Sequence, residues 1–210
     1  LSDDVEIKRD IVIVDENLEQ CPIDDPKVHF VKGDPAETET LLRAGILKAN
    51  TAILMADKSA GNYNDVDSRN ILVALAVETL NTKVHTCVEI LNPRNYKHLA
   101  RARADEVVCP SDIGTRLLAQ SALTHGLSRF FNEIISFGEG SEIYKVKLAS
   151  RLAGRPFADL LALLSKEHNI ILLAVDQDGE LLINPRHDLT VRQGASVYVL
   201  AEKFPREIEA

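Results

Sequence analysis

The chain has 210 residues, 45% hydrophobic and 27% charged, enough for one medium and one small globular domain. A net charge of −8 and an aromatic content of 5% without tryptophan argue against a nucleic-acid partner, because phosphates are repelled and little is available to stack on bases. No apolar run approaches the roughly 20 residues of a membrane helix, and three cysteines (Cys21, Cys87, Cys109) with no C-x-x-C pair suit a reducing compartment.

Residues 11–15 (IVIVD) and 28–32 (VHFVK) read as buried strands; the first ends in an acid and the second runs into Gly33-Asp34-Pro35. Further strands are expected at 51–56, 83–90 and 105–109. Helices are expected between them at 36–44, stopping at Gly45, at 65–80 and at 93–103 after an Asn-Pro start. In the second helix Ile71, Leu72, Leu75 and Ala76 are expected on one side. Alternating strands and helices imply a parallel sheet with right-handed crossovers. An acid at the tip of an early strand is where a dinucleotide-binding Rossmann unit holds ribose hydroxyls, but the G-x-G-x-x-G turn that should precede it is missing ahead of Ile11. The chain therefore reads as a nucleotide-binding sheet that starts after its phosphate loop.

Residues 111–126 and 127–136 read as two helices with more apolar positions than one stripe requires: Ile113, Leu117, Leu118, Leu123, Leu127, Phe130, Phe131, Ile134 and Ile135. Such a pair is expected to dock on a partner, the alternative being a last Rossmann helix packed on its own sheet. FGEGSE (137–142) reads as a linker, and its G-x-G lacks the strand and helix of a phosphate loop. Beyond it come a strand (SEIYKVKL), one helix (157–168), a hairpin turning at Asp178-Gly179 and a closing strand (SVYVLAEK), together a small α+β unit. The expected segments are 1–110, 111–137 and 138–210. The fold class is α/β: a Rossmann-like parallel sheet without its first strand in this chain, followed by the α+β domain.

The ordered run G-D-P (33–35), A-G-I-x-x-A (44–49), A-D (56–57) and N-D-x-D-x-R-N-I-L (64–72), followed by KVKLASRLAGRPFADLL and the terminal hairpin, resembles the RCK family, regulators of K⁺ conductance. The resemblance covers nearly the whole chain. It implies a cytoplasmic, non-enzymatic module at the inner face of the cell membrane. Such a module assembles as a homodimer within a ring and gates a K⁺ channel or transporter pore through bound nucleotide or cation. It touches the membrane only through the pore and takes no nucleic acid. The alternatives are a separate soluble ring subunit of a Trk/Ktr-type uptake system, a metabolite-binding module with no channel, or an NAD(P)-dependent oxidoreductase fragment. The last would need an intact glycine turn and an acid/base pair.

Asp15 is the expected ribose acceptor, with Glu16 as its substitute. Gly33 and Asp34 lie where the family reads the adenine edge, although Gly33 also suits a turn chosen for geometry alone. Ala56 and Asp57 end the next strand beside the expected nucleotide, which would be NAD, NADH, ADP or ATP. In Ca²⁺-gated relatives, carboxylates at these strand ends hold the gating ion. The resemblance thus marks Asp57 and Glu89, helped by Asp65 and Asp67, as candidate Ca²⁺ ligands. Leu91 stands where a further acid would be wanted, and Asp65 and Asp67 also suit a helix start.

Overall fold

The computed structural model describes residues 9–58, 62–136 and 140–209. It divides into two compact units, 6–123 and 124–210.

In the first unit β1 (Ile11–Asp15) pairs in parallel with β2 (Val28–Lys32), placing Ile11 beside Val28 and Asp15 beside Lys32. A separate parallel sheet has the order β3-β4-β5, from β3 (Thr51–Leu54), β4 (His85–Glu89) and β5 (Glu106–Val108). Among the described residues β1 and β3 each pair with one neighbour only. In a doubly wound order of the 3-2-1-4-5 kind, the place between them belongs to the first strand. The fold is thus the Rossmann-like α/β arrangement expected, and among the described residues no strand fills that place.

Between the strands lie α1 (Thr38–Arg43), α2 (Tyr63–Leu80) and α3 (Tyr96–Arg101), and α4 (Pro110–Leu123) follows β5. Asn62 caps α2, its side-chain oxygen accepting from the Asn64 amide at 3.1 Å. The core gathers Leu41, Leu54, Val73, Ala74, Val77, Val88, Ile90 and Leu99. Ile71, Leu72, Leu75 and Ala76 share a side of α2, but Leu72 and Leu75 are exposed, and the buried residues are Val66, Asp67, Asn70, Val73, Ala74 and Val77. Two of these are polar and find hydrogen-bond partners inside.

In the second unit α5 (Leu127–Ile135) precedes an antiparallel sheet ordered β6-β9-β7-β8. Its strands are β6 (Glu142–Lys147), β7 (Ile171–Gln177), β8 (Glu180–Ile183) and β9 (Ser196–Ala201), and α6 (Phe157–His168) lies between β6 and β7. The β7–β8 hairpin turns at Asp178 and Gly179, both at positive φ. Phe157, Leu160 and Leu164 of α6 bury against Val146, Leu172, Val175, Val197 and Val199. The expected helical segment 111–137 is shared between the units: α4 belongs to the first and α5 to the second, and neither has a buried residue.

Candidate functional site

The carboxyl ends of β1 and β2 adjoin, because the Asp15 carbonyl accepts from the Gly33 amide at 3.0 Å. The Asp15 carboxylate folds back on the loop that follows it, Oδ1 accepting from the amides of Asn17 (2.7 Å) and Leu18 (2.9 Å). Both bonds fall on one oxygen, Oδ1. Asp34 receives the Ala36 amide at 2.9 Å and opens the turn into α1. At Gly33 (φ +157°) a Cβ would stand 2.6 Å from Thr40 Oγ1 and 2.9 Å from its Cγ2, and Thr40 is buried. A side chain at this position would therefore collide with α1.

Across these strand ends lies Arg69 of α2. Its guanidinium pairs with Glu16 Oε1 at 2.5 Å and Asp34 Oδ1 at 3.1 Å. The hydrogen bond it donates to Glu16 is the largest of the influences that hold its pKa above the ordinary arginine value. One cation thus ties α2 to the ends of both β1 and β2. Nothing in the composition or periodicity of the sequence singled it out, although it sits inside the N-D-x-D-x-R-N run.

The same helix grips the other sheet. Asp67 is fully buried, and its carboxylate accepts from the amides of Leu91 (2.8 Å) and Asn92 (2.9 Å) and from Asn95 Nδ2 (2.7 Å). Asn70 Nδ2 donates to the carbonyls of Met55 (3.3 Å) and Glu89 (2.9 Å), fastening the ends of β3 and β4. A signal for this pair existed: two polar residues three apart inside an otherwise apolar helical stripe, each needing buried partners.

Ala56 and Asp57 follow β3 after Met55. The Ala56 amide donates to Glu89 Oε2 at 3.1 Å, and Lys58 Nζ pairs with Glu89 Oε1 at 3.1 Å. The Glu89 side chain is only 15% exposed. Asp65, in the first turn of α2, accepts from the Asn62 side chain at 2.9 Å. Among the described residues no group of three His, Cys, Asp or Glu side chains is placed to hold a metal ion. A cavity of about 170 Å³ opens beside Glu89, lined by Lys58, Tyr63, Leu91, Pro110 and Ser111. Among the described residues no helix is long and apolar enough to cross a membrane.

Comparison with known proteins divides the chain at the start of α4, thirteen residues before the boundary between the units. Residues 2–110 match the family described as TrkA-N domain, and residues 111–209 the one described as Castor and Pollux, part of voltage-gated ion channel. Among individual relatives, the chain is 27% identical over 201 residues to the calcium-gated potassium channel TvoK of Thermoplasma volcanium, covering 95% of this chain and 57% of that protein. It is 30% identical over 175 residues to the putative potassium channel protein YugO of Bacillus subtilis, covering 83% and 42% respectively. The chain thus spans about half the length of these relatives. The fold is similar to that of the human SLO3 gating ring, with a TM-score of 0.75 at 19% identity over 94% of this chain and 40% of that one.

Proposed function

Because the chain belongs to the TrkA-N family of RCK regulatory modules, we propose that it senses an adenine nucleotide and biases a K⁺ pore at the cytoplasmic face of the membrane. The observation that carries this reading is the clustering of Asp15, Glu16, Gly33 and Asp34 at two adjoining strand ends, crossed by Arg69. Open α/β sheets bind ligands outside the carboxyl ends of their strands. Asp15 Oδ2 would accept from ribose hydroxyls, and the Gly33–Asp34 turn would meet the adenine edge. These residues serve the adenosine half of a nucleotide. Arg69 gives binding there a route to the rest of the unit, because the helix that carries it also holds the ends of β3 and β4 through Asp67 and Asn70.

Two relatives bear names of potassium channels, which favours a regulator over an oxidoreductase. The exposed apolar residues of α4 (Ile113, Leu118, Leu123) and α5 (Phe130, Phe131, Ile135) would pair copies into a homodimer and the dimers into a ring. A ligand moves the pore only by the difference of its affinities for two ring states. Calcium is the second candidate, since TvoK is named as calcium-gated. The acids do not fit it as they are folded: Asp67 has both oxygens taken by N–H donors, and Glu89 is held by Lys58 and the Ala56 amide.

The test is a thermal-shift panel of NAD, NADH, ADP and ATP on the full-length protein, with Asp15→Ala beside it. At least one nucleotide should raise the melting temperature. The substitution should weaken that nucleotide by about 1–3 kcal/mol, the value of hydrogen bonds to a charged group. Equal affinity in both proteins would sink the assignment.

A further inference from the structure

We propose that Glu16 sets which nucleotides the crevice accepts: by holding Arg69 it denies a counter-charge to a phosphate on the ribose 2′ oxygen, so that the site takes adenine nucleotides with a free 2′-hydroxyl and rejects 2′-phosphorylated ones. The inference rests on the reading of Asp15 as the ribose acceptor and adds to it the choice between two ligand classes.

In dinucleotide-binding sheets an acid at this strand end meets the ribose 2′-hydroxyl, and an arginine nearby accommodates a 2′-phosphate. This chain carries both residue types in one place. Glu16 follows Asp15 directly, and Asp34 follows Gly33, whose amide donates to the Asp15 carbonyl at 3.0 Å. An arginine suits a phosphate because its planar fork offers paired donors. Here both arms of the fork are spent, Nη1 on Glu16 Oε1 at 2.5 Å and Nη2 on Asp34 Oδ1 at 3.1 Å. The neighbouring cations are engaged as well. Lys32, beside Asp15 in the sheet, pairs with Glu19 at 2.6 Å, and Arg43 donates to the Lys32 carbonyl at 2.9 Å.

A phosphate on the ribose adds close to two negative charges. Attached to the hydroxyl that Asp15 would hold, it would meet three carboxylates, those of Asp15, Glu16 and Asp34, balanced by one guanidinium. Like charges at short range repel. Asp15 opposes the phosphate in any case; Glu16 decides whether Arg69 can answer it. The side chains of Arg69 and Glu16 are 44% and 34% exposed, so the fork has room to turn once its partner is gone, and neither residue is needed to fill a core.

The experiment titrates the full-length protein by calorimetry at fixed ionic strength with two ligand pairs, NAD against NADP and AMP against adenosine 2′,5′-bisphosphate. Wild type, Glu16→Ala, Arg69→Ala and the Glu16→Ala/Arg69→Ala double variant are compared. The readout is the Kd of the 2′-phosphorylated ligand divided by that of its partner. Wild type should favour the unphosphorylated ligand by about tenfold or more. Glu16→Ala should lower that ratio by about tenfold, the factor that one charge-assisted hydrogen bond supplies, while Arg69→Ala and the double variant should not lower it. A Glu16→Ala ratio within about threefold of wild type overturns the inference and leaves the ribose reading of Asp15 standing. An equal fall in the double variant also overturns it, because the loss of one negative charge would then explain the change without Arg69. Failure of both NAD and AMP to bind wild type overturns it too, and the melting-temperature panel with ADP and ATP then decides separately whether the nucleotide reading survives.

Discussion

Replacing Asp67 tests how the crevice is held together. Its carboxylate is fully buried and accepts from two backbone amides, at Leu91 and Asn92, and from the Asn95 side chain, all between 2.7 and 2.9 Å. Asp67→Ala strands both amides, since neither can turn elsewhere without moving the loop after β4; Asn95 can rotate toward water. At about 1–2 kcal/mol for each stranded donor, the loss is about 2–4 kcal/mol. Asp67→Asn preserves shape but turns an N–H toward one of the donors, and should recover less than half of that loss. Urea unfolding followed by circular dichroism reads the effect. The transition of residues 6–123 should move to lower urea, while that of 124–210, which has its own core, stays in place. If Asp67→Ala leaves the first transition within about 0.5 kcal/mol of wild type, as an ordinary surface substitution would, the carboxylate is not the clasp described.

Other consequences are as direct. Gly33→Ala should destabilise the first unit by about 1–3 kcal/mol, the usual cost of overpacking. Adding Thr40→Ala, which removes the atoms met at 2.6 and 2.9 Å, should restore part of it in a double-mutant cycle; strict additivity would contradict the clash. Burial pushes the Cys87 thiol up, and the charge of Glu106 adds to the shift, so at neutral pH Cys87 should alkylate far more slowly than a free thiol until urea unfolds the unit. Phe130, 56% exposed on α5, should tolerate Asp without loss of fold, yet Phe130→Asp should convert a dimer to a monomer in light scattering. A wild-type monomer at micromolar concentration would count against the helical interface.

Much of the fold was legible in the sequence because its strands are short β-branched runs bounded by turn residues. The 11–15 and 28–32 strands have the limits expected, and the β7–β8 hairpin turns where Asp-Gly demands. Ends were less legible. The third strand stops at Leu54, not at residue 56, because the chain leaves the sheet so that the Ala56 amide can reach Glu89. Helix α2 starts at Tyr63, two residues ahead of the acids expected to open it, because Asn62 is its cap. The site was legible only as single acids. Strand ends and the family resemblance mark where Asp15, Asp34 and Glu89 fall along the chain, but not which cations face them. Arg69 and Lys58 reach their partners across 53 and 31 residues of sequence, and long flexible side chains carry no periodicity that announces such a contact.

The central claim is that occupancy of this crevice changes the passage of K⁺. Its most direct test is K⁺ flux in liposomes that hold the full-length protein together with the pore it is proposed to regulate, with NAD, NADH, ADP or ATP on the side where these residues lie. The account predicts that a nucleotide which raises the melting temperature also changes the flux, and that Asp15→Ala loses that dependence. A flux indifferent to every nucleotide that binds would contradict it.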